Sequence, residues 1–285
     1  MYKALNYWVF GGFDGQKTPF EFIDWAAQQG LDGVELTVGD CLKEDISEGE
    51  CRVIADYAKA KGIGLRTLAS GAGWGCALGA ADPAERQAAI AFTKKYLQIA
   101  AWIGAETVLT VPGATRIAWE PSRPVLAYKQ VWETASSSVR ELVPVAEKLG
   151  VNLALENVWN RFLISPMEWK YFLDQFGSER IGMYFDVGNA LLYGRPQDYP
   201  EILGSYIKAV HLKNFQEEDC GGGLHGFGDD LLKGALDFPA LFASLDCIGY
   251  AGPVTVEMIP FSRLPDMVLP DQALAEKVAG QLLAL

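Results

Sequence analysis

Positive charge is scarce in this chain. Its 24 lysines and arginines face 36 acidic residues, a net charge of −12 and a sequence pI near 4.7. A surface of that sign repels phosphate backbones, so nucleic acid is not an expected partner. Paired cysteines are missing too. Cys41, Cys51, Cys76, Cys220 and Cys247 are odd in number and widely spaced, with no C-x-x-C, which supports neither a disulfide framework nor a thiolate zinc site. No apolar run is long enough to span a bilayer, and MYKALNYWVF lacks the charged start, long apolar core and small-residue cleavage site of a signal peptide. The expectation is a cytoplasmic protein with no membrane partner. No Pro-, Ser- or Gly-rich linker divides the 285 residues, so residues 1–285 are expected to form a single domain.

What the sequence does have is a repeated phrase. An amphipathic helix ends at a glycine, a short polar turn follows, and an apolar strand comes next. AAQQGLDGVEL, AKAKGIGLRTL, AAWIGAETVLTV and AEKLGVNLALE show it, with Gly30, Gly62, Gly104 and Gly150 at the helix stop; Gly177 and Gly249 occupy the same place in two later copies. Helix starts are marked at Thr18-Pro-Phe-Glu21 and Ser165-Pro-Met-Glu168, where a hydroxyl, a first-turn proline and a glutamate make the capping-box pattern. Strands are expected near 4–10, 33–37, 64–70, 106–111, 151–156, 181–186, 207–213 and 253–257. Eight strands alternating with helices imply parallel pairing and a closed (β/α)8 barrel of the TIM type. An open doubly wound sheet is the rival, but GGFDGQ lacks the G-x-G-x-x-G spacing of a dinucleotide turn.

Parity then sorts the side chains, because alternate residues of a barrel strand face the helices and the axis. Bulky Val151, Leu153 and Leu155 claim the outward positions of VNLALE, which turns Glu156 inward; the same reasoning turns Asp186, His211 and Glu257 inward at the ends of IGMYFD, AVHL and VTVE. Four polar groups from consecutive strands converge at the C-terminal mouth, where such barrels carry their chemistry. Three carboxylates and one imidazole left alone there would repel and desolvate one another. One divalent cation resolves this: Mn²⁺, Mg²⁺ or Co²⁺ suits the donor set, and zinc is compatible with it. A single such carboxylate is more often a cap or a loop hydrogen-bonding group; the coincidence across four strands favours the metal. Lys213 and Glu35 also face inward and are candidates for substrate contact. So are Trp74, which with Trp8 and Trp159 follows or ends a strand and could wall a sugar pocket, and His225 in the loop CGGGLHGFG.

These motifs resemble the xylose isomerase-like TIM barrels, in particular sugar and sugar-phosphate isomerases and epimerases of the D-tagatose 3-epimerase type. The resemblance rests on LENVWNRFLISPMEW, FDVGNALLYG, VHLKNF and GYAGPVTVEMIP in that order, with Glu156, Asp186, His211 and Glu257 as the implied metal ligands. It implies that Glu156 and Glu257 are the catalytic pair, one removing a proton beside the carbonyl of a ketose or ketose phosphate and the other returning it from the opposite side, through an enediolate that the metal stabilises. Homo-oligomers, dimers or tetramers, are also implied. Asn189 and Glu217 stand where the ketose 3-epimerases have a substrate-touching histidine and arginine, and Asn214 replaces the commoner aspartate. A phosphate cradle would draw on Lys213, Arg161 and Gly221 to Gly223. The rivals are inosose dehydration, hydroxypyruvate isomerisation and a sugar-binding protein without turnover. Three-zinc DNA endonucleases of this family are excluded, because they need many imidazoles and this chain has two.

Overall fold

The computed structural model describes the chain except residues 76–77, 118–119, 121, 217–227, 260, 264–265 and 268–269, and the side chains of 74–75, 261–263 and 266–267. Eight strands close into a parallel barrel in the order β1 to β8. They are β1 (Tyr2–Asn6), β2 (Gly33–Thr37), β3 (Thr67–Ala69), β4 (Thr107–Thr110), β5 (Asn152–Glu156), β6 (Ile181–Asp186), β7 (Ile207–Leu212) and β8 (Pro253–Val256). Eleven helices are described: α1 (Tyr7–Gly11), α2 (Pro19–Gln29), α3 (Glu48–Ala60), α4 (Ala72–Gly75), α5 (Pro83–Ile103), α6 (Tyr128–Leu149), α7 (Pro166–Asp174), α8 (Val187–Leu191), α9 (Asp198–Leu203), α10 (Phe238–Cys247) and α11 (Gln272–Ala284). A short antiparallel pair, Phe261–Arg263 with Asp266–Met267, follows β8 outside the barrel. Among the described residues no helix is long and apolar enough to cross a membrane.

The local signals act as their chemistry requires. Thr18 and Ser165 each accept the backbone N–H of the glutamate three residues on, and that glutamate reaches back to the cap, which satisfies two otherwise orphaned donors at each helix start. Ser47 and Glu50 form a third such box, one without a first-turn proline to mark it. All six glycines of the repeated phrase have positive φ, between 59° and 84°.

One expectation fails. The first strand does not run over 4–10; it stops at Asn6, and Tyr7–Gly11 is helical. Asn6 ends the strand because its Oδ1 accepts the Trp8 N–H at 2.7 Å and so caps α1. A short apolar run such as YWVF reads equally well as strand or helix, and only the cap decides.

The parallel register brings the site together. Asp186 pairs with His211 across β6 and β7, Glu156 pairs with Tyr184 across β5 and β6, and Asn6 pairs with Glu35 across β1 and β2. Outward residues such as Leu153, Leu155, Met183, Phe185, Val210 and Leu212 are fully buried against the helices. Their burial stabilises each by about 1.5–3 kcal/mol and leaves the register no freedom to slip, since a shift of one residue would put the carboxylates into that apolar layer.

Candidate metal centre

Asp186 ends β6, and its two oxygens do different work. Oδ1 accepts the backbone N–H of Asn189 at 2.7 Å and caps α8. Oδ2 is buried and accepts no hydrogen bond, although the Lys213 ammonium stands 3.0 Å away. The backbone of Asp186 is held in turn by Asn157, whose amide accepts its N–H and donates to its C=O, each at 2.8 Å. That pair of bonds extends the β5–β6 ladder by one rung made from a side chain. Gly188 lets Lys213 lie over the start of α8, for a Cβ there would sit 2.3 Å from Lys213 Cγ.

Glu156, Asp186, His211 and Glu257 each offer one ligand atom, all within 4.8 Å of one another and all buried. His211 Nδ1 lies 3.4 Å from Glu156 Oε1, 3.6 Å from Glu257 Oε2 and 4.0 Å from Asp186 Oδ2. Its other nitrogen, Nε2, is 2.7 Å from Glu35 Oε1. A carboxylate on that side fixes an N–H at Nε2 and points Nδ1 at the three carboxylates, the usual way in which an outer carboxylate orients a ligand imidazole. Hard oxygen donors with one imidazole, buried and gathered within 4.8 Å of one another, fit a divalent cation.

Electrostatics point the same way. Burial, followed by the charges of Glu257 and Asp186, pushes the Glu156 carboxyl up to about 7, although the His211 contact opposes the rise. Burial likewise raises Asp186, with Lys213 opposing. For His211, burial disfavours the cation but the charges of Glu257 and Glu35 outweigh it and hold the ring well above its ordinary range. Lys213 is held up in the same way by Asp186 and Glu257, the latter 2.6 Å from its Nζ.

A pH prediction arises here. A cation must displace the protons that Glu156 and His211 hold, so loading should release protons and weaken as pH falls below about 7. Competition against a metal-sensitive dye at pH 6 and pH 8 is expected to show affinity higher at pH 8 by about tenfold or more per proton displaced. An affinity flat over that interval would show that these groups do not ligate.

Placement of the remaining expected residues is mixed. Lys213 and Asn189 are buried and line the cavity at the barrel mouth, about 530 Å³ in volume, as do Glu156, Glu257, Trp8 and Trp159. Glu35 does not reach it. Fully buried, it lies behind His211 and is engaged by Asn6 Nδ2 at 2.7 Å, by His211 and by the Tyr184 hydroxyl; its expected contact with substrate is replaced by one with a ligand. The backbone of Trp74 lies in α4, but its side chain is outside what the structure describes, and His225, Glu217 and Gly221 to Gly223 fall in 217–227, outside the described residues. Arg161 is exposed, with φ 58°, and is not part of the cavity lining. Sequence reasoning missed Asn6, Asn157 and Tyr184. Parity alone would have found Tyr184, two residues before Asp186 on the same face.

Comparison with known proteins agrees with this architecture. An inosose dehydratase of Geobacillus thermodenitrificans is 22% identical over 254 residues, spanning 79% of this chain and 83% of that protein. An uncharacterised protein of Methanocaldococcus jannaschii is 25% identical over 162 residues, and the match covers 54% of this chain and about half, 51%, of that protein. Among solved structures, D-psicose 3-epimerase from Clostridium cellulolyticum H10, crystallised with D-tagatose, superposes with a TM-score of 0.80 at 20% identity, covering 100% of this chain and 97% of that one. The family model described as xylose isomerase-like TIM barrel matches residues 23–280, and with the closed eight-stranded barrel and its buried quartet of ligand groups now in view, this chain belongs to that family.

Proposed function

We propose that the protein is a divalent-metal-dependent isomerase that inverts a carbon next to the carbonyl of a ketose or ketose phosphate, a 3-epimerase in the simplest case. One observation carries this reading. Two glutamates, Glu156 and Glu257, line the same cavity and belong to the same four-residue ligand cluster. They leave β5 and β8, three strands apart around the ring, so they approach a sugar in the mouth from different sides. Inversion needs that: one group takes the proton and another delivers it to the opposite face. The likeness to an epimerase crystallised with a ketose supports the choice of substrate.

Glu156, Asp186, His211 and Glu257 would hold the cation, which supplies Lewis-acid stabilisation for negative charge building on the substrate's carbonyl oxygen. The chain's own groups do the rest. Glu156, a carboxylate lining one side of the cavity, takes the proton or returns it. Lys213, bridging Asp186 and Glu257, restrains the second carboxylate and keeps the mouth from accumulating negative charge. Trp8 and Trp159 present apolar faces suited to the C–H side of a sugar ring.

The test is a chelator. Turnover of ketoses is expected to vanish after treatment with a strong chelator and to return with Mn²⁺ or Co²⁺, with the epimer as product. Inosose dehydration is the second reading, favoured by the 22% identical relative of that name; proton removal beside a carbonyl is common to both. An unsaturated product from inososes, and none from ketoses, would replace the epimerase reading. Activity unaffected by complete metal removal would end both.

A further inference from the structure

Across the barrel from Asp186, the mouth is built by the loops after β1 and β2. Trp8 in α1 donates its indole N–H to Asp40 Oδ2 at 2.7 Å, and Phe13 stacks on Trp8 with ring centres 5.6 Å apart. The two loops are locked together. Gly15 has φ 64°, and a Cβ there would lie 2.8 Å from the Asp40 carbonyl oxygen, so only glycine allows this approach. Asp40 is thus a placed carboxylate, half-buried and lining the cavity, with Glu44 beside it on the rim. A carboxylate offers about four acceptor positions; the indole takes one and Thr37 engages another.

The charge of the described lining is lopsided. Asp40, Glu44, Glu156 and Glu257 face one cation, Lys213, and Lys213 is already engaged by Glu257 and Asp186. A dication at the centre still leaves the lining negative. Asp40 lies beyond β2, which stands opposite β6 in a ring of eight; a sugar whose carbonyl end sits at the ligand cluster therefore sends its far end toward Asp40. A phosphoryl group there would meet carboxylates with no described cation to offset them, whereas a hydroxyl would donate to Asp40. Arg161, the cation expected to help a phosphate, is exposed and is not among the residues of the described lining.

Resting on the proposed isomerase reading, we infer that the substrate is an unphosphorylated sugar, and that Asp40, held by Trp8, selects it by accepting a hydrogen bond from a hydroxyl at the end remote from the reacting carbon. Asp40 is a specificity residue and takes no part in proton transfer.

The experiment compares free ketoses with their terminal phosphate esters on the Mn²⁺-loaded protein, by turnover and by tryptophan fluorescence, since Trp8 and Trp159 line the cavity. Free ketoses are expected to be favoured in kcat/KM by on the order of 10²-fold. Asp40→Asn should raise KM for the free sugar severalfold while kcat stays near the parent value, and Asp40→Lys should shift preference toward the ester. Trp8→Phe, which removes the indole donor, should reproduce part of the Asp40→Asn effect. Esters turned over as well as free sugars, or an Asp40→Asn variant with unchanged KM, overturn the inference while leaving the isomerase reading intact. If no sugar is turned over, that reading fails, and fluorescence still decides: quenching by free sugar alone upholds the selectivity, while quenching by the ester alone, by both equally or by neither overturns it.

Discussion

Glu257→Gln is expected to stop interconversion of the two epimers, lowering turnover by about 10²–10⁴-fold, the range that one positioned proton-transfer group contributes. The amide keeps an oxygen for the cation and nearly the shape of the carboxylate, but it takes no proton. The two-sided arrangement makes a sharper statement. Each glutamate serves one face of the sugar, so Glu257→Gln should abolish exchange with solvent deuterium from only one epimer, and Glu156→Gln from only the other. Because both groups also belong to the ligand cluster, bound metal is measured in each variant, and the comparison is made at equal loading. Exchange from both epimers at the parent rate in metal-replete Glu257→Gln would show that this carboxylate moves no proton.

Lys213→Met is the second large effect, on stability. The ammonium is buried between Asp186 Oδ2 at 3.0 Å and Glu257 Oε2 at 2.6 Å. Methionine matches the stem but leaves those carboxylates facing each other with only the His211 ring, 4.0 and 3.6 Å away, to offset them. Removing one partner of a buried ionic group costs about 3–5 kcal/mol, which for a chain of this size lowers Tm by on the order of 10 °C. That loss should be greatest in chelator and should shrink when Mn²⁺ is added, because a dication supplies the missing positive charge. Thermal unfolding with and without metal checks both parts. A variant as stable as the parent in chelator would mean that protonation of Glu156 or Asp186 already neutralises the cluster.

Much of this was legible in the sequence because parallel strands report themselves through two independent periods. Bulky residues at 151, 153 and 155 fix which way Glu156 turns, and the helix-ending glycines fix where each strand begins. What parity cannot show is distance across the axis. Glu35 faces inward as expected, yet nothing in GVELT tells whether it opens to the cavity or stands behind His211; only the closed ring brings it to 2.7 Å from that imidazole. Asn6 was lost for another reason. Its capping bond to Trp8 ends the strand within an apolar run, so a strand drawn on to residue 10 hid both the cap and its bond to Glu35. Asn157 follows the last residue of β5, where alternation stops carrying information, and its pairing with the Asp186 backbone is a contact over 29 positions that no local signal announces.

Asp186 shows how such a centre can be ready in advance. One oxygen is committed to the first turn of α8 and the main chain is clamped by Asn157, so the side-chain rotamer is chosen as the barrel closes rather than when an ion arrives. Loading then resembles filling a rigid socket: little motion of this ligand accompanies it, and the entropy usually lost in ordering a flexible carboxylate has already been lost during folding.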